Sequence, residues 1–226
     1  MKFSDIDFDK YPFPKRVRHH VAPNLYFPAS ELKEKPSYYP PLIETIDWSE
    51  HFAECRPPDA LDVGCGKGRF LLRYALANPV ENVLGVEIRR PLVRWINEVA
   101  RGETIANASA VWYSVVNGLD FIADEAVGRI FYLFPDPWPK KRHQKRRAFS
   151  DKFLTDSARV LRRGGELFLA TDVAEVDEYH RKLMEGKADF ETRRVDASEW
   201  GLPPTDKETF CIHHGIDVYR LVCRRK

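Results

Sequence analysis

The stretch Ala60-Leu-Asp62-Val63-Gly64-Cys-Gly66-Lys-Gly68-Arg69-Phe-Leu-Leu-Arg-Tyr-Ala-Leu76 decides the fold. A short apolar run ends in glycines on alternate positions, and Arg69 to Leu76 then reads as a helix. A strand that turns through glycines straight into a helix opens a strand–helix alternation, the pattern of a parallel sheet covered on both faces.

The chain downstream repeats that alternation. Val83-Leu-Gly-Val-Glu87 is a second strand, followed by helical spacing at Leu92, Trp95, Ile96 and Val99. Ala110 to Val116 reads as the third strand and Arg129 to Phe134 as the fourth. A helix through Phe153, Ala158 and Leu161 is expected to stop at the Gly164-Gly165 pair, as a glycine C-cap would make it. Glu166 to Thr171 is a fifth strand, and a helix through Val176, Tyr179 and Leu183 follows. Two more strands lie near Phe190–Val195 and Ile216–Cys223 with a loop expected between them, so the last should run antiparallel. The expectation is an α/β fold: a Rossmann-like doubly wound sheet of about seven strands, mostly parallel with an antiparallel last strand, helices on both faces.

Upstream the composition changes. Prolines at 12, 14, 23, 28, 36, 40 and 41 forbid a long helix, so residues 1–45 read as an arm lying over a core formed by residues 46–226. The arm carries Asp5, Asp7 and Asp9, then the basic segment Lys15-Arg16-Val-Arg18-His-His20, which either tracks a polyanion or is ordered by Tyr and Phe packing. At 226 residues the core is of single-domain size. The net charge of only +2 means that any attraction to nucleic acid comes from local patches. Cys55, Cys65, Cys211 and Cys223 show no metal-ligand spacing, and they suit reduced thiols in a cytoplasm. His213-His214 lacks a partner at suitable spacing, so no metal is expected. No signal peptide and no long apolar run stand out, so no membrane partner is expected. Whether the chain is a monomer or a homodimer stays open.

Ligands of such sheets sit beyond the C-terminal ends of the strands, where three candidates stand. Gly64 and Gly66 let backbone approach a bound molecule closely. Glu87, about twenty-five residues after the first strand, is placed to accept from a ribose diol. The Asn117 amide is placed to meet a purine edge. The glycine spacing is GxGxG, not the GxGxxG of nicotinamide dinucleotide enzymes, and Asp62 would repel a pyrophosphate. A cofactor carrying a sulfonium and an amine would instead welcome that carboxylate.

A second signal lies in Phe131-Tyr-Leu-Phe-Pro-Asp136-Pro-Trp138-Pro-Lys140-Lys-Arg142-His143-Gln-Lys145-Arg146-Arg147. An apolar run delivers one acid and one flat aromatic to its end, then six Lys/Arg follow within eight positions. That one-signed patch suits a phosphate backbone. Trp138 either stacks on a base or packs its own loop against the sheet.

Asp62-Val-Gly-Cys-Gly-Lys-Gly68, Glu87 and Phe134-Pro-Asp-Pro-Trp-Pro-Lys-Lys-Arg-His-Gln-Lys-Arg-Arg147 together resemble the bacterial tRNA (guanine-N7)-methyltransferase family, over roughly Arg16 to Arg224. Arg16 to Val21 is similar to a short form of that family's basic arm. The resemblance implies S-adenosylmethionine as cofactor, tRNA as partner, and methylation of N7 of a variable-loop guanine, usually position 46. It implies cofactor contacts at Asp62, Glu87, Asn117 and Asp136, with Asp136 catalytic. It implies substrate contacts at Lys140, Asp172 and the Thr205-x-x-Glu208 element, and RNA contacts over Arg142, His143, Lys145, Arg146 and Arg147. Asp172 has a second reading, as an N-cap of the following helix.

The chain departs from the family pattern in places. Asn117 stands where some relatives have aspartate, Lys207 where an aromatic is expected, and Thr209-Phe-Cys-Ile-His-His214 where basic residues and a glycine are common. Two other readings remain: methylation of an exocyclic base amine, for which Asp136-Pro-x-Trp also has a likeness, and a non-catalytic RNA-binding subunit.

Overall fold

The computed structural model describes residues 1–17 and 21–226. Part of the basic arm segment, Arg18 to His20, therefore lies outside the described residues.

Seven strands form one sheet: β1 (Ala60–Val63), β2 (Val83–Glu87), β3 (Ala108–Trp112), β4 (Val127–Leu133), β5 (Leu161–Thr171), β6 (Phe190–Arg194) and β7 (Tyr219–Arg225). Their order is β3-β2-β1-β4-β5-β7-β6. The first five are parallel, and β7 runs antiparallel to both β5 and β6. β1 and β2 are buried along their whole length, as central parallel strands covered on both faces must be.

Each face has its own helices. α1 (Arg69–Ala77) and α2 (Arg90–Gly102) pack on one side through Phe70, Leu71, Trp95 and Ile96. On the other lie α4 (Asp151–Val160), through Phe153 and Leu154, and α5 (Ala174–Met184), through Met184. Two shorter α-helices are also present among the described residues, α3 (Lys141–Gln144) and α6 (Asp206–His213). Successive strands leave β1 in one direction through β2 and β3, and in the other through β4 and β5. The order thus reverses between β1 and β4, which opens a crevice above their C-terminal ends. Among the described residues no helix is long and apolar enough to cross a membrane.

Three expectations need correction. The third strand covers Ala108–Trp112, because Val115 and Val116 turn out of the sheet in a 3-10 turn, Val115–Asn117. The helix expected to reach Gly164-Gly165 ends at Val160, and Leu161 already pairs with Val127 as the first residue of β5. Leu161 is fully buried in that pairing, so sheet burial wins over helical periodicity. Gly165 serves a close approach at the irregularity there: a Cβ on it would stand 3.0 Å from the Gly128 carbonyl oxygen. Finally, the expected loop between β6 and β7 contains α6. Its start was written in the sequence, since Thr205-x-x-Glu208 is a helix-capping pattern and the Thr205 hydroxyl accepts from the Glu208 N–H at 2.9 Å.

The proline-rich arm forms short 3-10 turns, such as Phe3–Asp5, Phe8–Lys10 and Pro23–Tyr26. It is fastened to α2 and to the turn after β3. Trp95 Nε1 donates to the Tyr11 carbonyl at 2.9 Å, and the Ser114 hydroxyl donates to the Leu25 carbonyl at 3.0 Å. Ile6, Leu25 and Tyr39 are buried.

Candidate active site

A cleft of about 430 Å³ opens where the strand order reverses. Its walls come from the β1–α1 turn, the end of β2, the turn after β3, the loop after β4, the start of α6, and Tyr26 of the arm. The chain thus brings Asp62, Gly64, Gly66, Glu87, Asp136, Arg146, Arg147 and Thr205 to one place.

The β1–α1 turn has positive φ at Gly64 (76°), Gly66 (58°) and Gly68 (67°), which glycine alone adopts at little cost. Asp62, 4% exposed, has one carboxylate oxygen, Oδ2, with no hydrogen-bond partner. Burial, and then the negative Glu87, push its carboxyl up to about 8. A buried carboxyl with an unpartnered oxygen is costly to ionise, so it retains its proton. Burial, with Asp62 and Glu87 nearby, also holds the neighbouring Cys65 thiol well above its usual range, so it stays protonated.

Glu87, 2% exposed, is fully occupied. Its Oε2 accepts from the Gly66 N–H (2.9 Å) and Arg89 Nη2 (3.0 Å), and Oε1 accepts from the Arg89 N–H (2.9 Å) and Nε (2.8 Å). Those four donors fill the lone-pair sites of a carboxylate. A diol reaching Glu87 must therefore displace Arg89 donors. Arg89 and Tyr26 escaped the sequence reading. Arg89 had a signal, a base two positions after a strand-end acid, whereas Tyr26 arrives from a distant arm.

The loop after β4 is held under strain. Phe134 (φ 50°) and Trp138 (φ 43°) both lie in the left-handed region, bracketing Pro135-Asp136-Pro137. Such positions cost ~1–3 kcal/mol each and persist where surroundings over-determine them. Here the Phe134 N–H donates to the Ala170 carbonyl at 2.7 Å, and Arg147 Nη2 and Nε donate to the Pro137 carbonyl at 2.7 and 3.1 Å. Trp138 is 8% exposed, meets Tyr26 edge-on at 5.0 Å, and has the Arg146 guanidinium 5.0 Å over its ring. It packs the loop, and its ring offers no open face to a base in this arrangement.

The basic run divides in two. Lys140, Lys141, Arg142 and Lys145 are exposed, Lys145 with its ammonium 5.3 Å over the Phe27 ring. Arg146 lines the cleft and its Nε is buried without a partner. Arg147, expected on RNA, lines the cleft and braces the loop: besides the Pro137 carbonyl it pairs with Glu175 at 3.0 Å and covers the Tyr179 ring at 4.7 Å, with its side chain 5% exposed. His143 lies beside Trp138, and desolvation followed by the Arg146, Arg142 and Lys140 cations lowers its pKa.

Asn117, expected on a purine, serves the arm. Its Oδ1 accepts from the Ala29 N–H (2.8 Å) and the Tyr39 hydroxyl (3.2 Å), and its Nδ2 donates to the Ser114 carbonyl (3.0 Å). Ser114, Val115 and Val116 of the same turn line the cleft in its stead. Asp172 does not cap α5, whose N-cap is Val173. It pairs with Lys207 at 2.7 Å, which ties the end of β5 to α6 at the cleft wall. Thr205 caps α6, and Glu208, 5% exposed, pairs with Arg220 at 2.5 Å behind that wall. Among the described residues no group of His, Cys, Asp and Glu is arranged to hold a metal ion.

Residues 56–221 match a family described as "Putative methyltransferase". A tRNA (guanine-N(7)-)-methyltransferase of Synechococcus elongatus is 35% identical over 220 residues, 93% of this chain and 97% of that protein. One from Synechocystis is 33% identical over 217 residues, 93% of this chain and 97% of that protein. Among solved structures, the 16S rRNA methyltransferase KamB superposes with a TM-score of 0.56 at 18% identity, covering 82% of this chain and 96% of its own. That likeness is one of fold.

Proposed function

The chain belongs to the tRNA (guanine-N7-)-methyltransferase family, and we propose that it transfers a methyl group from S-adenosylmethionine to N7 of a tRNA guanine. The observation that carries this reading is the orphaned, buried Asp62 beside Glu87, at the ends of adjacent strands and across one cleft from Asp136. The variable-loop guanine at position 46 is the target we assign, and the cytoplasm the compartment where tRNA is met.

The residues fit the cofactor. Asp62 supplies a carboxylate to its amine, Glu87 accepts from its ribose once Arg89 yields, and Gly64 and Gly66 let it lie close to the backbone. When bound, S-adenosylmethionine supplies an electrophilic methyl on a sulfonium, and guanine N7 brings a lone pair that carries no proton at neutral pH. No general base is therefore required, and no Ser/His/Asp or Cys/His arrangement is needed. What the protein contributes is positioning, worth ~7–11 kcal/mol in favourable cases. Asp136, fixed by the strained loop, holds the cofactor amine or the guanine N1–H/N2–H edge, and its charge favours the positive purine that forms. Exposed Lys140, Lys141, Arg142 and Lys145 grip phosphates and position the RNA without reading its bases.

The test is direct. Labelled S-adenosylmethionine and unmodified tRNA are incubated with the protein, and the product nucleoside is mapped. 7-Methylguanosine is expected, and Asp136→Ala should abolish it with the thermal unfolding midpoint retained. A methyl group on another base atom, or comparable turnover in Asp136→Ala, overturns the assignment.

A further inference from the structure

α2 begins against the usual electrostatics of a helix. Acids suit a helix N-terminus and cations its C-terminus. The first turn of α2 has no acid: Arg90 opens it, Arg94 follows one turn on, and only Arg101 stands in the last turn, where a cation suits the dipole. Arg90 and Arg94 are both exposed, Arg90 with its guanidinium 4.8 Å over the Trp112 ring. Among the described residues no carboxylate pairs with either. The arm adds to this charge. Pro12 and Pro14 line a groove of about 250 Å³ with Arg90, Arg94, Trp95 and Glu98, an acid that pairs with neither arginine. Beside it Phe13 meets Trp95 edge-on at 5.3 Å and lies under the Lys67 ammonium, 5.3 Å from its ring. Lys67 itself is exposed at the cleft wall. Exposed Lys15 and Arg16 follow Pro14, and by Val21 the arm has reached the cleft, where the Val21 N–H donates to the Tyr26 hydroxyl at 3.3 Å. Phe27 then lies under Lys145 of the loop after β4. The arm thus runs from one rim of the cleft to the other, with a lysine over an aromatic ring on each side.

We propose that Arg90 and Arg94 of α2, with Lys67 and the arm's Lys15 and Arg16, form a second phosphate-binding surface for tRNA, on the rim of the cleft opposite Lys140–Lys145. This rests on tRNA being the substrate and extends the RNA contacts to α2, which no motif of the chain marks for them. Cations set at the positive end of a helix dipole reinforce its field, and an anion is the partner that such a field fits. Five exposed cations on one rim suit a chain of phosphates better than a single small anion. The placement also suits the reaction. β2, which leads into α2, and β4, which leads into the Lys140–Lys145 loop, flank β1 on either side. With neighbouring strands ~4.8 Å apart, the roots of the two basic surfaces are about 10 Å from each other. One RNA segment can touch both while its guanine enters the cleft between them.

Binding of labelled unmodified tRNA across a salt series tests the proposal, with Arg90→Ala/Arg94→Ala as the variant and Arg101→Ala, at the far end of the same helix, as the control. Two lost phosphate contacts should flatten the slope of log K against log salt by about 1.4–1.8. Between 50 and 200 mM salt the affinity advantage of the wild type should therefore shrink about 7- to 12-fold. Arg90→Lys/Arg94→Lys, which keeps the charges, should restore the slope, and cofactor affinity should match the wild type in both variants. Arg101→Ala should bind tRNA as the wild type does. Wild-type affinity and slope in the double alanine variant overturn the proposal. So does a loss of affinity with the slope unchanged, which would trace to the packing of Arg90 on Trp112, and so does equal flattening in Arg101→Ala, which would trace to overall charge. Binding is read without turnover, so a methyl group mapped to another base atom would overturn the N7 reading and leave this surface standing.

Discussion

Asp62 makes cofactor affinity depend on pH in a way that can be worked out in advance. In the empty cleft its carboxyl holds a proton up to about 8, chiefly through burial and secondarily through Glu87. A cationic amine binds the ionised form, so binding must first release that proton. At pH 7 about one Asp62 in ten is ionised, and at pH 6 about one in a hundred. Affinity should therefore rise about tenfold from pH 6 to pH 7 and pass through a maximum near pH 8, beyond which the cofactor amine loses its own proton. Over pH 6 to 7 the cofactor's own amine, of ordinary pKa ~7.7–8.0, stays largely protonated, and Cys65 is held protonated throughout. Calorimetric titration at pH 7, in two buffers of different ionisation enthalpy, should count about 0.9 proton released per cofactor bound. Asp62→Asn should bind more weakly, and its affinity should be flat over this range. The same burial acts on the fold. Unfolded Asp62 ionises near 4 while folded Asp62 stays neutral to about 8, so the folded state holds the extra proton between those values. Asp62's own contribution to stability is thus most favourable below pH 4, declines as pH rises toward 8, and is level beyond; Asp62→Asn should gain more thermal stability at pH 8 than at pH 5. Equal wild-type affinities at pH 6 and 7, with no proton released, would refute the reasoning.

The remaining predictions concern the scaffold. Lys141→Ala with Arg142→Ala removes two exposed charges, so the salt slope of tRNA binding should flatten by about 0.7–0.9 per lost phosphate contact with cofactor affinity unchanged. Arg147→Ala should do the opposite: the Pro137 carbonyl loses its donors, so kcat and thermal stability should fall while the salt slope stays as in the wild type. A flattened slope in Arg147→Ala would return it to the RNA surface. Gly68→Ala places a Cβ 2.5 Å from Ile96 Cγ1 at a left-handed position, and denaturant unfolding should register a loss of about 2–4 kcal/mol.

The architecture was readable wherever apolar runs are bounded by glycines or acids. β1 and β2 occupy the residues their sequence marks, because a strand buried on both faces must be apolar throughout. Legibility failed where one apolar residue had two places to go. Val115 and Val116 continue the hydrophobic run of β3 yet line the cleft, and Leu161 keeps the spacing of α4 yet enters β5. Periodicity records that a residue is buried, not what it is buried against. The helix α6 is hidden for another reason: in its Thr205-x-x-Glu208 start a capping hydroxyl and a cleft wall coincide, and residue type alone does not separate the two.

The same limit explains the site. Asp62, Glu87 and Asp136 were legible because each ends or follows an apolar strand, and the sheet carries all three to one edge. Residue type could not show which members of a set stay available. Six cations within eight positions look alike in sequence, but Arg147 is consumed by the Pro137 carbonyl and Glu175, whereas Lys141 and Arg142 remain exposed. That division has a mechanical logic. A loop that keeps Phe134 and Trp138 at positive φ must be braced from somewhere, and the guanidinium a few residues beyond the exposed cations is the group within reach. One short segment thereby carries both the exposed cations and the brace that fixes the Pro137 carbonyl beside Asp136.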